Sequence, residues 1–186
     1  MFAFFLTFLS VLLAMFAGRE ALRVARLAEA TGGVGTLVAL VAGVSVLACV
    51  LAAWLAGTFA DLLSPQQRGW FVAAALVLAA LEVMLLGLPD TPREPTRSLG
   101  AIGLVLFAGV LTDASGLLVL SIGIATGQAG LAAAGGALAC AAALGAAAFA
   151  RGDWEKLPRR TLQVAVGIAL MAGAAVIVFA PPTAFA

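Results

Sequence analysis

The chain has 186 residues, 64% of them hydrophobic and only 10% charged, with a formal net charge of +1. A soluble domain is about 45–50% apolar and about 25% charged, so this composition marks an integral membrane protein. Histidine and tyrosine are absent, which argues against haem ligation, imidazole zinc sites and histidine proton relays.

No phosphate-binding glycine loop, no Cys-x-x-Cys pair and no basic patch interleaved with aromatics is present. An enzyme, a nucleic-acid binder and a permanently bound cofactor are therefore not expected. The partners the composition implies are the lipid bilayer and a small ion or solute. Any activity has to be built from the spans and their short loops.

In chain order, Phe2 to Gly18 is the first apolar run, at the lower limit of about 17–25 residues for a span. Nothing before Arg19 is basic, so the run reads as a span and not as a secretory signal. Arg19, Arg23 and Arg26 share one helical face, which carries the helix to about Leu27; Thr31-Gly32-Gly33 ends it. Val34 to Ala60 is the second span, with Asp61 at its outer end. Ser64-Pro65-Gln66-Gln67-Arg68 reads as a tight turn. Trp70 to Leu88 is the third span and carries Glu82.

The stretch 89–98 is polar, and its three prolines prevent helix continuation. It separates a first repeat, residues 1–88, from a second, residues 99–186. Leu99 to Ala125 is the fourth span, Gly127-Gln128 a short turn, and Leu131 to Ala150 the fifth span. Arg151 to Arg160 is a polar loop in which Trp154 reads as an interface anchor. Thr161 to Ala180 is the sixth span, closed by Pro181-Pro182. In span five, Ala132-Ala133-Ala134-Gly135-Gly136-Ala137 reads first as a close-packing surface and second as a homodimer face. The cysteines, Cys49 and Cys140, lie in apolar runs and read first as small buried residues and second as a disulfide or metal pair.

The halves echo one another. Leu-Ala-Cys recurs at 47–49 and 138–140, and a proline followed by arginine precedes the third and the sixth span. Three spans per half would insert the second copy upside down, as inverted repeats do in secondary transporters. The expected fold is all-α and integral to the membrane: six transmembrane helices as two inverted three-helix repeats.

The centre of that layout is Asp113, the one charge in the fourth span. An aspartate there costs roughly 3 kcal/mol on insertion scales, so it is a functional-site candidate by default. Thr112 and Ser115 surround it with hydroxyls, and Gly116 is a helix weak point. Glu82 and Glu20 are candidate second ligands. Arg19 reads either as a partner of Asp113 or as a snorkelling topology charge, and Glu20 lies within reach of Arg23 at i+3. Straight helices would keep Gly18-Arg19-Glu20 apart from Asp113. The two stretches meet if the N-terminus protrudes, if the helices tilt, or if span four breaks at Gly116.

Phe8 to Leu22 and Gly109 to Leu117 fall where the two copies of a family motif belong. In layout the chain resembles the Gdt-type manganese/calcium exporters of the lysine-exporter-like superfamily, whose repeats each open with Glu-x-Gly-Asp-(Lys/Arg)-(Ser/Thr). Asp113 and Ser115 occupy motif positions in the second copy and Arg19 the basic position in the first. Val110, Thr112, Ala114, Met15, Gly18 and Glu20 stand where the family has other residues. The resemblance implies a secondary transporter exporting a divalent cation such as Mn or Ca, with Asp113 as a metal ligand. A lysine-exporter-like carrier of another small solute, or a non-transporting membrane subunit with a decayed site, are the alternatives.

Alternating six spans puts Arg19, Arg23, Arg26, Arg93, Arg97, Arg151, Lys156, Arg159 and Arg160 on one side and Arg68 alone on the other. Nine against one predicts, by the positive-inside rule, a bacterial-type inner-membrane protein with both termini outside the cytoplasm. A reporter fused after Ala186 is therefore expected to work only if it is a periplasmic enzyme. Activity of a cytoplasmic reporter there would overturn the six-span topology.

Overall fold

The computed structural model describes residues 1–85 and 98–179. Eight α-helices run as α1 Phe2–Ala17, α2 Arg19–Thr31, α3 Val34–Leu62, α4 Pro65–Leu85, α5 Leu99–Thr112, α6 Ala114–Thr126, α7 Ala129–Ala150 and α8 Arg159–Phe179, with a 3-10 turn at Arg151–Lys156 before α8. No strand occurs among the described residues. The expected linker 89–98, with Arg93 and Arg97, lies outside them except for Ser98, whose Oγ accepts a hydrogen bond from the Ala101 N–H at the start of α5.

Among the described residues four helices, α3, α4, α7 and α8, are long and apolar enough to cross a membrane; the count rises to six if each of two bent pairs is one span. The bent pairs are α1–α2, at 62°, and α5–α6, at 48°. Large apolar side chains such as Leu47, Val50 and Trp54 on α3 and Val176 on α8 face outward, as lipid contact requires.

Three sequence expectations need correction. The first helix does not run through to Leu27: it stops at Ala17, and a new helix starts at Arg19. Span four breaks at Asp113, not at Gly116. Gly116 lies in the first turn of α6, where a Cβ would stand 2.0 Å from the Leu111 carbonyl oxygen, so the kink presses the end of α5 onto it. Ser64–Arg68 is not a free turn but the start of α4. Pro65 takes the first helical position, Gln67 Oε1 accepts from the Ser64 N–H at 2.9 Å, and Ser64 Oγ accepts from the Gln67 N–H at 3.4 Å. This is a reciprocal cap with proline where its missing N–H costs nothing.

Small residues set the packing. On α3, Ser45, Ala48, Cys49, Ala52 and Ala56 form a buried stripe, and on α7 Ala132, Gly136, Ala139, Cys140 and Ala143 form another. Their spacing at three and four residues gives each helix one thin face, which lets the backbones approach closely. α7 packs on α3, on α1 and on α2; α3 packs on α5 and α6; α4 packs on α6 and α8. Trp154 is not an interface anchor. It is buried, and its ring lies 5.0 Å from Phe16.

Gly135 shows how tight this packing is, because a Cβ there would stand 2.3 Å from the backbone oxygen of Phe4. Gly145, on the same helix, has open space at that position. Gly135→Ala should force α1 and α7 apart and destabilise by about 1–3 kcal/mol. Gly145→Ala should be neutral or slightly stabilising, since alanine is the better helix former. Thermal unfolding in detergent measures both; equal midpoints would contradict the packing.

Candidate functional site

The two breaks are alike in backbone geometry. Gly18 closes α1 and opens α2 at φ −74°, ψ 165°, and Asp113 closes α5 and opens α6 at φ −78°, ψ 171°. Each releases the chain for one residue and presents a helix N-terminus, which favours nearby negative charge. In a bilayer such breaks persist only where protein or a polar cavity covers them.

Here they cover one another. A Cβ on Gly18 would stand 3.7 Å from Asp113 Oδ2, so the breaks face each other. Asp113 is a favourable capping residue, yet its side chain makes no cap hydrogen bond to α6. Its carboxylate turns to Arg19, whose Nε lies 3.9 Å from Asp113 Oδ1. Arg19 Nη2 is 3.6 Å from Glu82 Oε1, and Arg19 Nε is 3.8 Å from Glu20 Oε1. Through Arg19 the Glu82 and Asp113 carboxyls are held beside the same guanidinium.

Glu20 is fully buried and receives a hydrogen bond from Arg23 Nη1 at 2.6 Å. It fits because position 109 on α5 is glycine: a Cβ there would stand 2.7 Å from the Glu20 carboxyl. The structure thus brings together Arg19, Glu20, Glu82 and Asp113, four candidates drawn from α2, α4 and the α5–α6 break.

Two other candidates stand apart. Thr112 is exposed, and its hydroxyl donates to the Ala108 carbonyl at 2.7 Å within its own helix. Ser115 is buried and donates to the Val110 carbonyl at 3.0 Å. Asp61 is exposed at the end of α3. Among the described residues no three His, Cys, Asp or Glu side chains are grouped so as to hold a metal ion. The carboxyls converge on Arg19, so Asp113 sits in an ion-pair cluster and not in a ready-made metal cage.

Sequence reasoning assigned Arg159 to topology alone. Its Nη1 donates to the Gly18 carbonyl at 3.3 Å, binding the start of α8 to the first break. Gly109 also escaped notice, since it is one of 21 glycines and its neighbour Glu20 is 89 positions away by number. Comparison of the chain with protein-family models, with characterised proteins and with solved structures gives no match.

Removing one partner of a buried charge cluster strands the others, at about 3–5 kcal/mol when the pair is fully buried. Arg19 keeps 30% of its side-chain surface, so solvent screens part of that cost. Arg19→Met should lower stability by about 1–3 kcal/mol, and adding Asp113→Asn should restore part of the loss because one stranded carboxylate is gone. Unfolding midpoints of the single and double variants test this; strictly additive losses would mean that Arg19 and Asp113 do not interact.

Proposed function

We propose that the chain is a proton-coupled secondary transporter that moves a small cation, with divalent ions such as Mn²⁺ or Ca²⁺ as cargo, through a site at the paired helix breaks. One observation carries the reading: a single guanidinium, Arg19, lies 3.6 to 3.9 Å from three carboxyls drawn from three parts of the chain. Discontinuous helices meeting among ionisable groups are how membrane transporters build their substrate sites.

The charges favour a divalent cargo. Arg23 is spent on Glu20 at 2.6 Å. The carboxylate charge then left over is two units, which Arg19 and one proton balance. The proton is part of the proposal: two carboxylates facing one guanidinium in a low dielectric leave one negative charge unbalanced. A divalent ion supplies the same two positive charges. Cargo entry would expel Arg19 from the centre and release that proton, leaving the buried charge unchanged. Arg19 serves in this reading as the resident counter-ion of the unloaded state.

The inverted-repeat arrangement belongs to the same proposal. The bent pairs α1–α2 and α5–α6 correspond, as do α3 with α7 and α4 with α8. The packing repeats accordingly: α1 and α2 lie on α7 as α5 and α6 lie on α3. The inner-membrane location and the orientation with both termini outside rest on the distribution of basic residues.

A second reading, a carrier of another small solute, is favoured by the mixed sign of the cluster, which suits a zwitterion with an amine and a carboxylate. Reconstitution into proteoliposomes separates the two. The cation reading expects uptake of Mn²⁺ or Ca²⁺ with counter-movement of protons, reduced at least tenfold in Asp113→Asn with membrane accumulation unchanged. Normal flux in Asp113→Asn would make the residue a structural anchor. Failure of Asp113→Asn to accumulate would withdraw the site assignment. Amino-acid flux without cation flux would select the second reading.

A further inference from the structure

The chain contains two cysteines, and both are free and buried, Cys49 at 1% exposure and Cys140 at 0%. Nothing in the transport reading uses them. They lie on the facing stripes of α3 and α7, which come from different halves of the chain. Their closeness shows at Gly136, one helical turn before Cys140 on α7, where a Cβ would stand 3.3 Å from Cys49 Sγ.

We propose that Cys49 and Cys140 form a thiol pair that oxidises to a disulfide, covalently joining α3 to α7 across the two halves. The neighbours are Ala48, Ala52, Ala139 and Ala143, all buried and apolar, a setting that accommodates a neutral disulfide but disfavours the attacking thiolate, so the oxidation is slow. The small side chains let the helices shift by the fraction of a helix diameter that bond formation needs.

The step removes two protons and two electrons from the thiols, forms one S–S bond, and delivers both protons and both electrons to the oxidant. Since the sulfurs lie inside the bundle, the fitting oxidant is a lipid-soluble two-electron acceptor of the quinone class, which leaves as the quinol. Neither cysteine is bonded to a member of the charge cluster. The proposal does not depend on the transport reading.

The test uses the full chain in native membranes. It is treated with diamide or a short-chain quinone, quenched with acid, unfolded in SDS and tagged with a maleimide-polyethylene glycol. Untreated protein should take two tags. Treated protein should take none, should migrate as a monomer, and should yield a Cys49 peptide linked to a Cys140 peptide on non-reducing digestion; dithiothreitol should restore both tags. Cys49→Ala should take one tag before and after oxidation. Two tags after both oxidants would overturn the proposal, and so would loss of the single tag in Cys49→Ala, which would show Cys140 reacting without its partner.

Discussion

The structure depends on where three carboxyls and two guanidiniums can be placed inside an apolar bundle. An isolated ion in a medium of low dielectric is costly enough that it neutralises or finds a partner. Glu20, with no exposed surface, is viable because Arg23 donates to it at 2.6 Å. Asp113 and Glu82 are viable because Arg19 lies between them. The helices break where these groups meet, and each break places a helix N-terminus beside carboxylates, which adds to their stabilisation. Backbone irregularity and buried charge, each unfavourable alone in a bilayer, compensate each other at one place.

That compensation demands close approach, and close approach demands small residues. Gly109 is the sharpest case. The Glu20 carboxyl of the first half occupies the volume that a side chain at position 109 in the second half would need. Gly135 likewise lets the backbone of α1 settle on α7. The glycine and alanine content of this chain therefore has a positional meaning. It thins the helices along the lines where the halves press together, while leucine, valine and tryptophan cover the lipid side.

Much of this was legible in the sequence, for identifiable reasons. Apolar runs of span length locate the helices because a bilayer admits few alternatives. Asp113 announced itself as one charge in a run of apolar residues. Glu20 and Arg23 could be paired from their i, i+3 spacing. The breaks were harder to place, because a glycine or an aspartate within an apolar run is compatible with either a continuous or a broken helix. Gly116 was the plausible break point in span four by propensity, but the chain opens at Asp113, whose carboxylate gains Arg19 by leaving the helix. The contact of Gly109 with Glu20, the bond from Arg159 to Gly18 and the facing of Cys49 with Cys140 join residues distant in number. A single sequence carries no signal for such pairs.

The packing also ties the cluster to the last helix. Glu82 is the one member carried by α4, and α4 rests on α8 and on α6. Helix α8 has little buried surface of its own. Two guanidiniums hold its start: Arg159 on the Gly18 carbonyl and Arg160 on the Met84 carbonyl of α4. Through Arg160 the helix is joined to the element that carries Glu82, and through Arg159 to the break that faces Asp113. The least buried helix is thus fixed at the one end that lies beside the charges.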